Sequence, residues 1–449
     1  MGNALIIEHR KLSQLSGLDQ SLRVHSKRQH SKLMISLATF GQVVPILIDR
    51  DNRVIDGALV AMAMAASGWD EVAVVVVNNR SPEELRLLRI ALNRLPQDAG
   101  WNNERLANEL RELLELGFDL ELTGFDAVEI DMALAIEDCS ENVVDDLPPE
   151  PIAGPTVAQP GEVWVMDNHR VLCGDAREPE NLRRLMGASR AAMMFSDPPY
   201  NVAIDGFVAG RGRHREFAMA SGEMSRPQFV TFLADFLQAA TPHLADGAIL
   251  DICMDWRHSG ELLEAISLAR LTLMNCCVWA KTNAGMGTFY RSQHELVWIA
   301  KHGTAPHQNN FELGQQGRSR SNLWTYRGMN APGRERDQLI KLHPTVKPVA
   351  LVIDAIKDVT RRADIVLDPF MGSGTTLIAA QRTGRCAYGI ELDPAYVDVI
   401  IRRWEAETGH LAVRADNCAT FAEAEFDALE AAPPPLALSA PHSDEASRD

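Results

Sequence analysis

None of the seven cysteines, at 139, 173, 253, 276, 277, 386 and 418, stands in a CxxC pair. That spacing argues against a zinc site and a disulfide framework, and predicts small buried hydrophobes in a reducing cytosol. No metal ligand set is expected. Also missing is an apolar run of the ~20 residues needed to span a bilayer. The opening MGNALIIEHRK lacks the charged-then-apolar layout of a secretion signal. Ile6 stands where a myristoylation motif wants Ser or Thr. A cytoplasmic protein with no membrane partner is expected. No internal repeat is present.

Positive charge is scarce overall, with a formal net charge of −17, which at first argues against a nucleic-acid partner. Its distribution matters more than the sum. From Glu104 to Glu150 there are fifteen Asp/Glu against two Arg, whereas Lys281 to Lys347 carries ten Lys/Arg against four Asp/Glu. Acid and base are segregated, so a local DNA-binding surface remains open.

At 449 residues, with 46% hydrophobic and 23% charged content, the chain is a globular protein too long for one ordinary core. The first 80 residues read as a small α+β unit. VVPILIDRDNRVID, from Val43 to Asp56, is two β-branched runs around Asp-Asn, which is hairpin chemistry. A helix from Ala58 to Ser67 and the strand EVAVVVV follow, and Pro82 suits a helix N1 position. NNERLANELRELLELG places Leu106, Leu110, Leu113 and Leu114 at helical spacing, with Gly117 just past the end.

Residues 138–160 combine acids with five prolines and no apolar period, which reads as a linker and a domain boundary. The tail 431–449 reads as disordered. From about Gly161 to residue 430, strands alternate with helices: AAMMFSD, AILDICMD, LMNCCVWAK, ELVWIAK, IVLD and CAYGIE, with helices at Pro227–Ala240, near Glu261 and near Ala350. Such alternation predicts an α/β domain with a mostly parallel, doubly wound sheet, whose ligands bind at the carboxyl ends of the strands.

Two motifs fall at such ends. In IVLDPFMGSGTTLIAAQRTG the strand closes at Asp368, and a turn built on Gly372 and Gly374 leads into a helix whose free N–H groups can meet a ligand. The turn has no Walker A lysine and is not GxGxxG. Glu391 ends the next strand, where an acid typically takes ribose hydroxyls. A nucleoside without a charged polyphosphate is therefore expected. In FSDPPYN the strand delivers Asp197, and Pro198 and Pro199 lock the turn with acceptors but no donors. Tyr200 adds a flat face. One carboxylate, one rigid carbonyl and one ring suit a planar heterocycle held by its exocyclic amine.

DPPY at 197–200 together with DPFMGSGTT at 368–376 resembles the amino-group DNA methyltransferases that use S-adenosylmethionine. The catalytic motif precedes the cofactor loop, an order similar to the family's circularly permuted β subgroup. HPTVKP at 343–348 resembles a further cofactor motif, with His343, Thr345 and Lys347. CGDA at 173–176 resembles the strand-end acid placed near the cofactor's adenine, here Asp175. WAKTNAGMGTFYRSQHE at 279–295 is similar to the stretch leading into target recognition.

The resemblance covers roughly residues 160–425. It implies a Rossmann-like methyltransferase fold in which Phe370, Gly372 and Gly374 shape the methionine pocket. Asp368 and Thr375 would lie nearby, Glu391 would take the ribose, and Asp197, Pro198, Pro199 and Tyr200 would hold a base flipped out of duplex DNA. The target is expected to be adenine N6, with cytosine N4 as the alternative. The subgroup commonly dimerises, so a homodimer is compatible with the resemblance.

Between the two motifs, about 301–341, lies the stretch where the family places target recognition, with Arg318, Arg320, Arg327 and Arg334 as DNA-contact candidates. Arg211 and Arg213, in AGRGRHRE after DPPY, join them. Residues 5–135 resemble the ParB-like nuclease fold through GQVVPILIDRDNRVIDG. That family continues with Gly-His-x-Arg, but this chain has Gly57, Ala58, Leu59 and Val60, so a DNA-guiding role is expected rather than cleavage. Two further readings are a DNA-binding regulator with a silent methylase domain, and an active N-terminal nuclease. The intact methylase motifs oppose the first and the missing His and Arg oppose the second.

Overall fold

Long runs of buried β-branched and other apolar residues fix where the strands lie, and short polar turns fix where they stop. The computed structural model describes residues 6–19, 21–134, 151, 155–202, 222–282, 290–311, 320–326 and 347–431. The tail 432–449, most of the proline-rich segment 138–160 and most of 301–341 lie outside the described residues. The chain divides into two compact units, Met1–Asn142 and Val143–Asp449.

The first unit carries a four-stranded sheet in the order β1-β4-β2-β3, formed by Ile7–Lys11 (β1), Ile46–Ile48 (β2), Val54–Asp56 (β3) and Glu71–Val76 (β4). The β2–β3 pair is antiparallel, as the Asp-Asn turn predicts. Asp49 accepts from the N–H groups of Asp51 and Arg53 at 2.9 and 2.8 Å, and Asn52 takes a positive φ of 59°. Ile46, Ile48, Val54, Val72 and Val74 pack with the helix Ala58–Ala66 into one core. Gly57 (φ 91°) opens that helix in a left-handed conformation. The helix Pro82–Arg94 begins with Pro at N1 and a Ser81/Glu84 capping box. Asn102 caps the helix Asn103–Glu115, and the helix Ala127–Leu134 packs on it through Leu110, Ile130 and Ala133.

The second unit is built on a ten-stranded sheet in the order β11-β9-β10-β8-β7-β12-β13-β6-β5-β14. Its strands are Val163–Met166 (β5), His169–Cys173 (β6), Ala191–Ser196 (β7), Leu244–Met254 (β8), Thr272–Lys281 (β9), His294–Lys301 (β10), Leu323–Tyr326 (β11), Ile365–Asp368 (β12), Cys386–Glu391 (β13) and Val413–Arg414 (β14). The run β8-β7-β12-β13-β6 is parallel throughout. Antiparallel partners flank it, with β10 between β8 and β9, and β5 between β6 and β14. The parallel centre is buried on both faces, as its unbroken apolar strands require. One core joins the sheet to the helices Val349–Val359, Thr375–Thr383 and Pro394–Thr408. The other joins it to Pro179–Met186, Arg226–Ala240 and Ser259–Leu268.

Strand order decides where a ligand fits. From β7 the chain moves outward to β8, and from β12 it moves outward the other way to β13. The wind therefore reverses between β7 and β12, which pair through Val366↔Met193 and Leu367↔Met194. Such a reversal opens a crevice at the carboxyl ends of the two strands.

The start of this unit is held by a buried carboxylate. Asp398, in the helix Pro394–Thr408, accepts from the N–H groups of Val157 and Ala158, both at 2.9 Å. Removing it leaves two buried donors unpaired, so Asp398→Ala should destabilise the unit by ~2–4 kcal/mol in urea unfolding. Asp398→Asn, which retains an acceptor, should lose about half of that.

Candidate active site

Four acids end four neighbouring parallel strands. Asp197 follows β7, Asp368 closes β12, Glu391 closes β13, and Asp175 follows β6 after Gly174. Sheet order sets them side by side although they come from four separate stretches of chain. The Gly174 N–H donates to the Glu391 carbonyl at 2.8 Å, tying two of these ends together.

The glycine turn after β12 has the conformation its sequence predicts. Gly372 and Gly374 take φ of 54° and 82°, and Gly374 leads directly into the helix Thr375–Thr383. The Glu391 carboxylate clamps this turn, accepting from the Gly372 N–H at 2.8 Å and from the Asp393 N–H at 2.9 Å. Lone pairs remain on both oxygens for two hydroxyl donors. Burial pushes Glu391 up to about 7, against the pull of those two N–H groups. Burial likewise pushes Asp368 up to about 7, opposed by the Thr376 hydroxyl and the Phe370 N–H at 3.0 Å and aided by the nearby charge of Asp197. Thr375 is buried beneath the turn. The Phe370 ring packs edge-on against Phe236, with centroids 5.0 Å apart, and lies near Phe232. Asp175 is held below the usual carboxylate range: burial opposes ionisation, but Arg177 grips both its oxygens at 2.6–3.1 Å.

At the end of β7, the Tyr200 hydroxyl donates to Asp197 Oδ1 at 2.6 Å, and Lys347 Nζ donates to Oδ2 at 2.6 Å. About a fifth of the Asp197 side chain, 21%, still reaches solvent. Burial pushes Asp197 up, Lys347 pulls it down and Glu295 pushes it up again, with a net rise. The Tyr200 hydroxyl is raised well above its ordinary value by burial and by Asp197 and Glu295. Pro198 is buried under the turn. Asn201 closes it with φ 53°, its side chain accepting from the N–H groups of Gly222 and Met224 and donating to the Met224 carbonyl.

Lys347, expected at the cofactor, has its ammonium on Asp197, 3.2 Å from the Tyr200 hydroxyl and 3.1 Å from Glu295. Arg320 was expected to face DNA, but it is turned inward. It pairs with Asp354 and Asp358, each at 2.9 Å, donates to the Tyr326 hydroxyl at 2.8 Å and lies over the Trp324 ring. Two carboxylates and an aromatic face surround that guanidinium, whose side chain is only 15% exposed. His343, Thr345, Arg211, Arg213, Arg318, Arg327 and Arg334 lie outside the described residues.

Two residues of the site were not singled out from sequence, Glu295 and Lys281. Glu295 accepts from Lys281 at 2.5 Å and from Lys347, and these cations hold it down to about 2 against burial. The signal was an acid beginning the apolar strand HELVWIAK and a lysine ending LMNCCVWAK.

The raised carboxyls have a measurable consequence. A carboxyl whose folded value is raised contributes stability that is complete below about pH 4 and is lost as pH rises through about 7. Asp368→Asn should remove one such dependence. The difference in unfolding free energy between variant and wild type should then change by roughly 1 kcal/mol per pH unit between pH 5 and 7 and level off above. Urea unfolding across that range checks it, and a flat difference would contradict the buried, protonated Asp368.

The DNA methylase family matches residues 191–402, which span both motifs, and the ParB-methyltransferase HTH domain matches residues 104–160. Type II methyltransferase M2.MboI of Moraxella bovis is 25% identical over 227 residues, 48% of this chain and 81% of that protein. Type II methyltransferase M2.DpnII of Streptococcus pneumoniae is 26% identical over 227 residues, 48% of this chain and 82% of that protein. Among solved structures, the M1.HpyAVI–SAM complex is 21% identical, covers 52% of this chain and 97% of that one, and has a TM-score of 0.39. With Asp197, Tyr200 and the Gly372–Gly374 turn inside the matched segment, residues 191–402 are those of a DNA methylase domain, and residues 104–160 ahead of it match a ParB-methyltransferase helix–turn–helix domain.

Proposed function

We propose that the protein transfers a methyl group from S-adenosylmethionine to the N6 amine of adenine in duplex DNA. The observation that carries this reading is the placement of DPPY and the glycine turn on adjacent strand ends, at the reversal between β7 and β12. The residues present fit the donor. A positive-φ turn with Glu391 at its side offers N–H groups and a hydroxyl acceptor but no lysine for a polyphosphate. S-adenosylmethionine, when bound, supplies an electrophilic methyl. Gly372, Gly374, Phe370, Asp368 and Thr375 bound its pocket, Glu391 takes its ribose and Asp175 approaches its adenine, with His343 and Thr345 of HPTVKP as further contacts.

Asp197 and the Pro198 carbonyl accept the hydrogens of the target amine, and Pro199 keeps the turn rigid. An aromatic amine's lone pair is delocalised into its ring and is a poor nucleophile. Accepting both hydrogens helps the nitrogen pyramidalise, and holding it in line supplies much of the remaining acceleration. Tyr200 stacks on the base, which is flipped out of the duplex to reach this depth. Asp rather than Ser before PPY favours adenine within the family.

The domains of this reading are a ParB-like unit to about 137, a linker to 160, the methylase domain to about 430 and a tail. The ParB-like unit guides DNA rather than cutting it, since Ala58, Leu59 and Val60 replace the family's polar motif. Arg211, Arg213, Arg318, Arg327 and Arg334 contact DNA, and the Type II label of both relatives supports a restriction–modification role. Among the described residues no helix is long and apolar enough to cross a membrane. The protein acts in the cytoplasm, and light scattering tests for a homodimer.

Labelled S-adenosylmethionine and duplex DNA, digested to nucleosides after incubation, should yield N6-methyladenine. N4-methylcytosine would correct the base, and DNA binding without transfer would point to a silent regulator. Asp197→Ala should lower turnover by about a thousandfold or more while leaving cofactor affinity within a few-fold. Near-normal turnover would refute its role.

A further inference from the structure

Lys347 stands just before the helix Val349–Val359, and its side chain is only 4% exposed. It is shared between two carboxylates, Asp197 at 2.6 Å and Glu295 at 3.1 Å, and Glu295 is in turn held by Lys281 at 2.5 Å. The ammonium also lies over the Tyr200 and Trp279 rings, 5.5 and 5.9 Å from their centroids. Lys281, Glu295, Lys347 and Asp197 thus alternate in sign from the ends of β9 and β10 to the end of β7. This arrangement engages one oxygen of the Asp197 carboxylate, the group that accepts from the target amine in the reading above.

We infer that Lys347 is a positioning residue that aims the Asp197 carboxylate and keeps it ionised, while Glu295 tempers that grip by sharing the ammonium. An amine hydrogen and Lys347 draw on the same Asp197 carboxylate. An ammonium bound to Asp197 alone would hold on to it. One already paired with Glu295 can lean away as the amine arrives without leaving a buried charge unpaired. The inference rests on the methyltransferase reading above.

The charged and titratable groups around Asp197 are Tyr200 on its own turn, Lys347, Glu295 of β10 with Lys281 of β9 behind it, Cys253 of β8 and Asp368 of β12. Lys347 favours the charged form of Asp197, and Glu295 disfavours it. The two substitutions therefore act in opposite directions. Removing Lys347 shifts the acid limb of the rate profile to higher pH, and neutralising Glu295 shifts it lower.

The test is single-turnover methyl transfer to duplex DNA against pH, with cofactor affinity measured alongside. Lys347→Met should move the acid limb up by about one unit or more, costing about tenfold at pH values below the wild-type limb and recovering in alkali. Lys347→Arg, which keeps the charge, should restore the limb to within about half a unit. Glu295→Gln should move it down and raise the KM for DNA several-fold. A uniform loss of rate in both variants with unmoved limbs would overturn the inference and leave only a structural role. If Lys347→Met does not fold, Glu295→Gln and Lys347→Arg decide it by the same shifts. The infrared carboxyl signal of Asp197, wild type minus Asp197→Asn, reads the same titration without turnover. A wild type that transfers no methyl would sink the methyltransferase reading, whereas unmoved Asp197 titration in the variants would sink this one alone.

Discussion

The parallel pairing of β7 with β12 is the constraint on which the site depends. Met193 and Met194 lie beside Val366 and Leu367, more than 170 positions apart in the chain. That pairing sets Asp197 and Asp368 at one edge, at the point where the winding of the sheet reverses. Every other part of the site is placed relative to these two strand ends. Glu391 arrives because β13 pairs with β12, and Asp175 because β6 pairs with β13. The stability of this arrangement comes from apolar strands buried on both faces, between two layers of helices.

The electrostatics of the site follow from that depth. Several carboxylates at one edge of a buried sheet cannot all be charged without compensation. Two solutions stand side by side. Asp368 and Glu391 have no cation among the influences on them, and burial raises both to about 7. Glu295 has two ammonium groups and is held down to about 2. Asp197 has one shared cation, Lys347, and burial and Glu295 still give it a net upward push.

Much of this was legible in the residues. The hairpin at Asp-Asn, the capping box at Ser81, the helix after Gly374 and the strand–helix alternation each follow from local rules, and the structure agrees with them. Local rules failed where distance in sequence hid a partner. Arg320 reads as a surface arginine in a basic stretch, because nothing nearby announces that Asp354 and Asp358 will face it. Lys347 reads as part of a cofactor motif, because its neighbours in sequence belong to one. The sheet is mostly parallel as expected, and its parallel centre is flanked by antiparallel pairs, with HELVWIAK running antiparallel to both β9 and β8.

By itself the sequence determined which residue types end each strand, where the backbone needs positive φ and where it has no donor to give, because these depend on a few covalent neighbours. That was enough to single out Asp197, Tyr200, Gly372, Gly374 and Glu391, which the fold brings to one edge of the sheet. Only the tertiary structure decided which charges meet. The order of strands in the sheet brings Lys347, Glu295 and Lys281 to Asp197 and takes Arg320 away from the surface. An ion pair depends on separation in space to within an ångström or two, and separation along the chain carries almost none of that information.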